Sequence, residues 1–441
     1  MEDSSSKPAD NSLRAGRYIR QPTGYRAFIP APLPPVPSVR ISGEMQKLLS
    51  QADFALGRLD GSVHTLPNPD LFVLMYVRKE AVLSSQIEGT QSSLNDLLNA
   101  EARIHSPDQP KDVNEVINYV RAMNHGLARL KQLPLSIRLI REIHAELLKG
   151  GRGSKLEPGE IRRSQNWIGP AGCTLAEAVF VPPPPDEVMP SLGNVESFLH
   201  APADMPALLQ IGLAHAQFET IHPFLDGNGR VGRLLITFFL CERGILAKPV
   251  LYLSHYFKKH RAAYYEHLQA VRDTGDWEPW LDFFLRGIIE VSAQAAATAR
   301  SILALREQHR AAVTTRLARA AANGHRVLEH LYVHPTVSVP GIQKYLDVTY
   351  PAAANIINRL VQLGILRELT GNRRNRLFRY ESYTQLFDEP NVTGASSSQE
   401  VMGASCTRNV MGASCSRIIG IRELEAPITM REHPAPAANA P

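Results

Sequence analysis

The 441-residue sequence is poor in several things, and each shortage excludes something. It has four cysteines, Cys173, Cys241, Cys406 and Cys415, with no CxxC pair among them. Neither a dense disulfide framework nor a thiolate zinc site is built from so few, and a reducing, cytoplasmic setting is the expectation. Long apolar runs are missing too. The longest, 71–77 and 234–241 (the second with Thr237 inside it), span seven and eight residues, whereas a membrane-crossing helix needs about 20. The opening MEDSSSKPAD lacks a basic stretch followed by an apolar core, so no secretory signal is expected. Net charge is also small, +5 in all, but unevenly placed. Residues 301–380 carry twelve Lys/Arg against four Asp/Glu, a local +8, which leaves the rest of the chain at −3. An anionic partner read by charge is therefore expected in the C-terminal third.

What is present is ordinary for a globular chain: 44% hydrophobic and 21% charged residues. At roughly 100–200 residues per domain the length implies two to four units. Residues 1–42 hold five prolines between Pro30 and Pro37 and read as an extended, surface-lying N-terminal extension. From 43 to about 310 the pattern is helical, interrupted at 150–185 by a Gly- and Pro-rich connector. Within the connector, 166–168 and 178–181 flank Gly169-Pro170-Ala171-Gly172 and read as a β-hairpin. Residues 323–380 change rhythm: helix, helix, a third helix capped by Thr349, then strand–turn–strand around Gly371, in the order of a winged helix–turn–helix. Residues 383–441, with the tandem repeat VMGASCTRN/VMGASCSRI, read as a disordered tail. The fold class expected is mainly α, with a small hairpin, followed by a small α+β winged helix.

One loop concentrates chemistry. His222-Pro-Phe-Leu-Asp226-Gly-Asn-Gly-Arg230-Val-Gly-Arg233 follows one apolar helix and opens another. Gly227, Asn228 and Gly229 can take the φ > 0 geometry that turns backbone N–H groups inward as an anion nest. The next helix, expected from about Arg230, adds free N–H groups and the positive end of its dipole. Arg230 and Arg233, three apart, can face the same side as a fork for phosphate oxygens. Asp226 offers one hard oxygen beside the nest, suited to Mg²⁺ otherwise held by phosphates and water. His222 can take a proton from a hydroxyl near neutral pH. Base, metal ligand, cradle and clamp are the parts of a phosphoryl-type transfer, where catalysis is mostly positioning and charge stabilisation.

HPFLDGNGRVGR resembles the Fic family motif H-x-F-x-(D/E)-G-N-G-R-x-x-R at every specified position. The likeness extends over roughly 20–290, including PGEIRRSQNWIG upstream and TGDWEPWLDFFLRG downstream. The resemblance implies a protein adenylyltransferase that moves AMP from ATP to a Ser, Thr or Tyr hydroxyl of a target protein, or of itself, and releases pyrophosphate. Carried over by position, His222 would be the catalytic base and Asp226 the Mg²⁺ ligand. Gly227, Asn228, Gly229, Arg230, Val231, Gly232 and Arg233 would bind ATP, with Tyr265 (Tyr264 being the other choice) on the adenine side. Phe224 would anchor the loop in the core. Doc kinases of the same superfamily lack the last Gly of GNG, so Gly229 favours nucleotidyl transfer over phosphorylation.

Upstream, SSQIEGT at 84–90 resembles the family's inhibitory motif (S/T)-x-x-x-E-(G/N), with Ser84, Glu88 and Gly89 at the specified positions on a helix of about 70–90. Glu88 would then pair with Arg233 and hold the charge that the γ-phosphate needs. The hairpin 166–181 would be the flap that aligns an extended target segment. In the winged helix, Arg373, Arg374, Arg376 and Arg379 of the wing could meet DNA phosphate, and Asn355, Asn358 and Arg359 of the third helix could meet base edges. A DNA-binding regulator that uses the Fic domain as a nucleotide sensor is thus the competing reading. Hydrolytic removal of AMP, with Glu88 positioning a water, is a third, and a homodimer is a family-based expectation.

Overall fold

The computed structural model describes residues 12–388, apart from 67, 103–109, 111, 170–172, 203 and 372–374. It opens with a single helical turn α1 (Ser12–Ala15) and a hairpin of β1 (Gly16–Arg20) and β2 (Arg26–Pro30). Tyr18 lies opposite Phe28 in the antiparallel register. The N-terminal segment is therefore more than an extension. Arg14 makes a two-pronged bond to Glu278, and Phe28 packs at 5.7 Å on Phe180. The buried apolar side chains Ala15, Ala27 and Phe28 drive this; a reading based on proline alone passes over them.

The helical body follows: α2 (Gly43–His64), α3 (Pro69–Ile87), α4 (Leu94–Glu101), α5 (Val113–Arg129), α6 (Ile137–Leu147), α7 (Pro185–His200), α8 (Ala207–Ile221), α9 (Asn228–Glu242), α10 (Ser254–Lys259), α11 (Arg261–Thr274) and α12 (Trp277–Leu317). Local signals set their ends. Ser42 caps α2 by accepting from Met45 N–H, and Ser93 and Asp96 form a capping box on α4. Pro69 occupies the tolerated first turn of α3, and Gly89, at φ +93°, ends its path. Helix α8 is buried at every position from Leu208 to Ile221, so it is the central element on which the site is hung.

Helix α12 runs 41 residues, roughly 60 Å at 1.5 Å per residue. It extends past about 310, the expected end of the helical region, because alanine and arginine favour helix and His309, Val313 and Leu317 continue a buried stripe. By length and composition the helical stretch Trp277–Val333, of which it forms the first part, is apolar enough to cross a bilayer. Here Trp277, Trp280, Phe284 and Ile288 are buried, packed with α2 and α8.

The C-terminal module consists of α13 (Ala321–Val333), β3 (Thr336–Ser338), α14 (Val339–Leu346), α15 (Tyr350–Gln362), β4 (Arg367–Glu368), β5 (Leu377–Arg379) and α16 (Glu381–Thr384). Its sheet has the order β3–β5–β4, antiparallel throughout, with Val337 opposite Phe378. The first strand, β3, was not anticipated. Residues 383–388, expected to belong to the tail, are part of the fold: Tyr383 and Phe387 are buried, and Phe387 meets Tyr76 of α3 edge-on at 5.6 Å. The repeat at 401–418 lies outside the described residues.

Candidate active site

His222 sits at the C-cap of α8 with φ 51° and ψ 61°, a left-handed backbone that costs a non-glycine residue about 1–3 kcal/mol. Its Nδ1 lies 3.2 Å from the Glu219 carbonyl, which can only accept, so Nδ1 carries the hydrogen and Nε2 the lone pair. Nε2 is buried without a partner. Burial pushes the imidazole pKa down to about 3, with Arg272 and Arg162 adding to the depression against the pull of Glu219 and Asp226. The ring is thus neutral, with its Nε2 lone pair unshared.

The loop after it takes positive φ at Gly227 alone; Asn228 and Gly229, expected to share that geometry, already belong to the next helix. Gly227 has φ +78° and precedes α9, which begins at Asn228, two residues before the expected Arg230. The Asn228 side chain closes the turn instead of facing outward: its Oδ1 accepts from Phe224 N–H and its Nδ2 donates to Phe224 O, both at 2.8 Å. Val231 is fully buried and its N–H donates to Gly227 O, so neither its side chain nor its N–H is open to a phosphate. Gly232 lies against Glu219, whose Oε1 would be 2.3 Å from a Cβ there.

The two arginines do not form the expected fork. Arg230, buried, donates to Glu115 at 3.2 Å and lies 3.5 Å from Asp226. Arg233 instead turns toward α3. It donates Nε to Ser84 Oγ at 2.8 Å, and Nη2 to Ser84 O at 2.9 Å and to Glu88 Oε1 at 2.7 Å. Burial pulls the Arg233 pKa down, but Glu88, Tyr264, Glu219 and Tyr119 outweigh it and hold the charge firmly. Glu88 Oε1 also lies 2.2 Å from where a Cβ on Gly229 would be, so a carboxylate already rests on the cradle. Tyr265 faces the same cluster: burial and Glu88 push its phenol up to about 12. Tyr264 is buried and bonded to His215 Nε2 at 2.9 Å, as a core residue.

Asp226 takes Gly227 N–H on Oδ1 at 2.7 Å. Its Oδ2 faces Gly153, where a Cβ would stand 2.7 Å away, so the space beside that oxygen depends on glycine. No cluster of three or more His, Cys, Asp or Glu able to hold a metal occurs among the described residues. One carboxylate oxygen in an open niche fits Mg²⁺ completed by triphosphate and water.

Sequence reasoning passed over the supports. His144 stacks flat on Phe224 at 3.7 Å. It accepts Gly159 N–H on Nδ1 at 2.8 Å, so the hydrogen is on Nε2, which donates to Asp226 O at 2.9 Å. Glu219 is a buried acid pushed up to about 7 by burial, with Arg233 and Arg272 pulling down and Glu88 pushing up. Arg272 lies 4.2 Å over the Phe180 ring of the flap and donates to Glu219 O and Thr220 Oγ1. Among the described residues of the flap, one bridge, Ile168 to Phe180, stands where two hairpin strands were expected. Phe28 N–H donates to Val181 O alongside it, so β2 covers one side.

In the winged helix, Arg379 is buried and donates to Thr336, Asn95 and Asn99. Arg376 pairs with Glu368, and Arg359 donates to the carbonyls of Arg316 and Leu317. Arg373 and Arg374 lie outside the described residues. Asn355 and Asn358 are exposed.

Residues 46–128 match the Fic/DOC family N-terminal domain, and residues 134–240 match the Fic/DOC family. The chain carries a Fic domain. Over 174 residues it is 33% identical to the protein adenylyltransferase Fic of Aedes aegypti, covering 38% of this chain and 31% of that protein. The corresponding protein of Drosophila willistoni is 32% identical over 173 residues, with the same coverage. The chain thus spans about a third of the length of these curated relatives. Among solved structures, a Fic family protein from Desulfovibrio desulfuricans aligns over 78% of this chain and 97% of its own, with a TM-score of 0.51 and 18% identity, which establishes the fold.

Proposed function

We propose that the protein is an adenylyltransferase that moves AMP from ATP to a hydroxyl of a target protein and is held inactive by Glu88. The acceptor oxygen attacks the α-phosphorus and a new P–O bond forms. The α–β phosphoanhydride breaks, pyrophosphate leaves, and the hydroxyl proton passes to His222 Nε2. The turn at Gly227 and the free N–H groups at the start of α9 hold phosphate oxygens, and Arg233 holds the terminal charge once Glu88 has left it. Asp226 would hold Mg²⁺, whose charge offsets that of the phosphates. The observation that carries this reading is the Glu88 carboxylate on Arg233 and over Gly229: an internal anion fills an anion site, with an unpartnered imidazole nitrogen on the same short loop.

For the winged helix we favour docking over DNA reading. Arg379 and Arg359, two of the arginines expected at phosphates and bases, are bound to other parts of this chain. The test of the main reading uses wild-type, Glu88→Gly and His222→Ala proteins with Mg²⁺ and α-labelled ATP. An adduct of one AMP, strongest in Glu88→Gly and absent in His222→Ala, supports the reading. Labelling that survives His222→Ala refutes it.

A further inference from the structure

The connector between α6 and α7 also grips the back of the motif loop. Arg162 is buried, at 2% exposure. Its Nε donates to His222 O at 2.9 Å, its Nη2 to Pro183 O at 2.5 Å and Ile221 O at 3.3 Å, and its Nη1 to Ser164 O at 3.2 Å. Its own N–H donates to Pro223 O at 3.0 Å. Asn166, at 1% exposure, places Nδ2 3.2 Å from His222 O and 2.9 Å from Phe224 O.

Every one of these side-chain bonds ends on a backbone carbonyl and none on a carboxylate. A guanidinium buried on carbonyls alone is costly to keep, and burial pulls its pKa down to about 9. What it holds is specific. The carbonyl shared by Arg162 and Asn166 belongs to His222, the residue whose left-handed backbone needs outside support. The second anchor of the guanidinium, Pro183, lies three residues past Phe180, whose bridge to Ile168 closes the flap.

We propose that Arg162 and Asn166 are positioning residues that lock the His222 backbone, so that Nε2 faces the acceptor, and that Arg162 joins the base and the flap into one body. A target strand seated on the flap is thereby brought into register with the base by the same side chain. The clamp touches neither nucleotide nor acceptor, so its loss lowers the rate of transfer and leaves ATP affinity in place.

The inference rests on the adenylyltransferase reading for its rate measurement only. In full-length Glu88→Gly protein, Arg162→Lys and Asn166→Ala are introduced separately. Lysine keeps the charge but has no planar fork to span four carbonyls. Three quantities are measured: AMP transfer at saturating ATP, ATP affinity by equilibrium dialysis, and amide hydrogen exchange across 221–227. The rate is expected to fall on the order of 100-fold, as for a base displaced by about 1 Å. ATP affinity should stay within about 3-fold, and exchange should rise at 222–224 while α9 stays protected. An unchanged rate, or a loss of affinity that matches the loss of rate, overturns the proposal. If the Glu88→Gly parent transfers no AMP, the adenylyltransferase reading fails, and exchange alone decides the clamp: unchanged protection at 222–224 in both variants refutes it. If Arg162→Lys loses cooperative unfolding, Asn166→Ala, which removes only two bonds, decides on the same measurements.

Discussion

Replacing Glu88 by glycine removes one carboxylate and one obstacle, and the two effects can be separated. Glu88 Oε1 accepts from Arg233 at 2.7 Å, with the carboxylate 27% exposed and the guanidinium 2%. A hydrogen bond to a charged group contributes about 1.5–3 kcal/mol, and exposure on one side places this one near the lower end. At about 1.4 kcal/mol per tenfold, Glu88→Gly should raise AMP transfer by roughly 10-fold, and by more once steric relief over Gly229 is added. Glu88→Gln keeps the bulk and loses the charge, so it should fall between wild type and Glu88→Gly. The assay is incorporation from α-labelled ATP at subsaturating ATP, with His222→Ala as the blank. Glycine also leaves Arg233 with only its two Ser84 bonds, so the variant should melt lower without ligand. Added ATP should then stabilise it more than wild type, by about 1.4 kcal/mol for each tenfold gain in affinity. Labelling no greater in Glu88→Gly than in wild type would refute the reasoning, whatever the melting data show.

Other expectations follow from the buried charges and the docking of the winged helix. His144, His215 and His222 are held to about 4, 3 and 3 chiefly by burial, so below the usual value of 6.5 only the unfolded chain takes up their protons and stability falls. Glu80 and Glu219, pushed up to about 7 by burial, bind protons first in the folded chain, which opposes that fall until pH 4.5, where the unfolded acids also protonate. Stability should therefore decline gently from pH 6.5 to 4.5 and steeply below, as chemical denaturation across pH would show; a steep loss already at pH 6 would contradict this. Arg379→Ala removes the bonds to Thr336, Asn95 and Asn99 and should cost about 1–3 kcal/mol. It should also raise amide exchange in α4, and unchanged exchange at 94–101 would deny that the module braces that helix.

The helices were legible because their signals are local. The apolar stripes of α8 and α9, the prolines at helix starts and the glycines at helix ends all act within a few residues, and the motif loop is one contiguous stretch. What escaped notice depends on distant residues. Arg379 looks like a wing arginine until Asn95 and Asn99, some 280 positions earlier, are seen beside it. Arg230 and Arg233 share a helix face in the sequence, yet Glu115 takes one and Ser84 with Glu88 the other. The N-terminal hairpin was hidden by the prolines that follow it, since Ala15, Ala27 and Phe28 find their partners far along the chain, among them Trp167, Ile168, Phe180 and Val181.

Gly229 shows how sequence and structure can single out one position for different reasons. In the sequence it is a nest residue, valued for conformational freedom and close approach to phosphate. In the structure Gly229 does not adopt a positive φ, as Gly227 does. Its missing Cβ matters because Glu88 Oε1 would stand 2.2 Å from that atom and Arg233 Nη1 3.0 Å. The same bare backbone that would admit a phosphate oxygen admits the carboxylate, so the proposed cradle and the proposed brake would place one steric demand on one residue, and each would exclude the other. A side chain at 229 would therefore disturb both. Gly229→Ala should unseat Glu88, as loosened exchange at the end of α3 would show, without the gain in AMP transfer expected of Glu88→Gly. If Gly229→Ala instead matched Glu88→Gly in activity, the methyl group would be shown to hinder only the carboxylate, and the shared demand would be disproved.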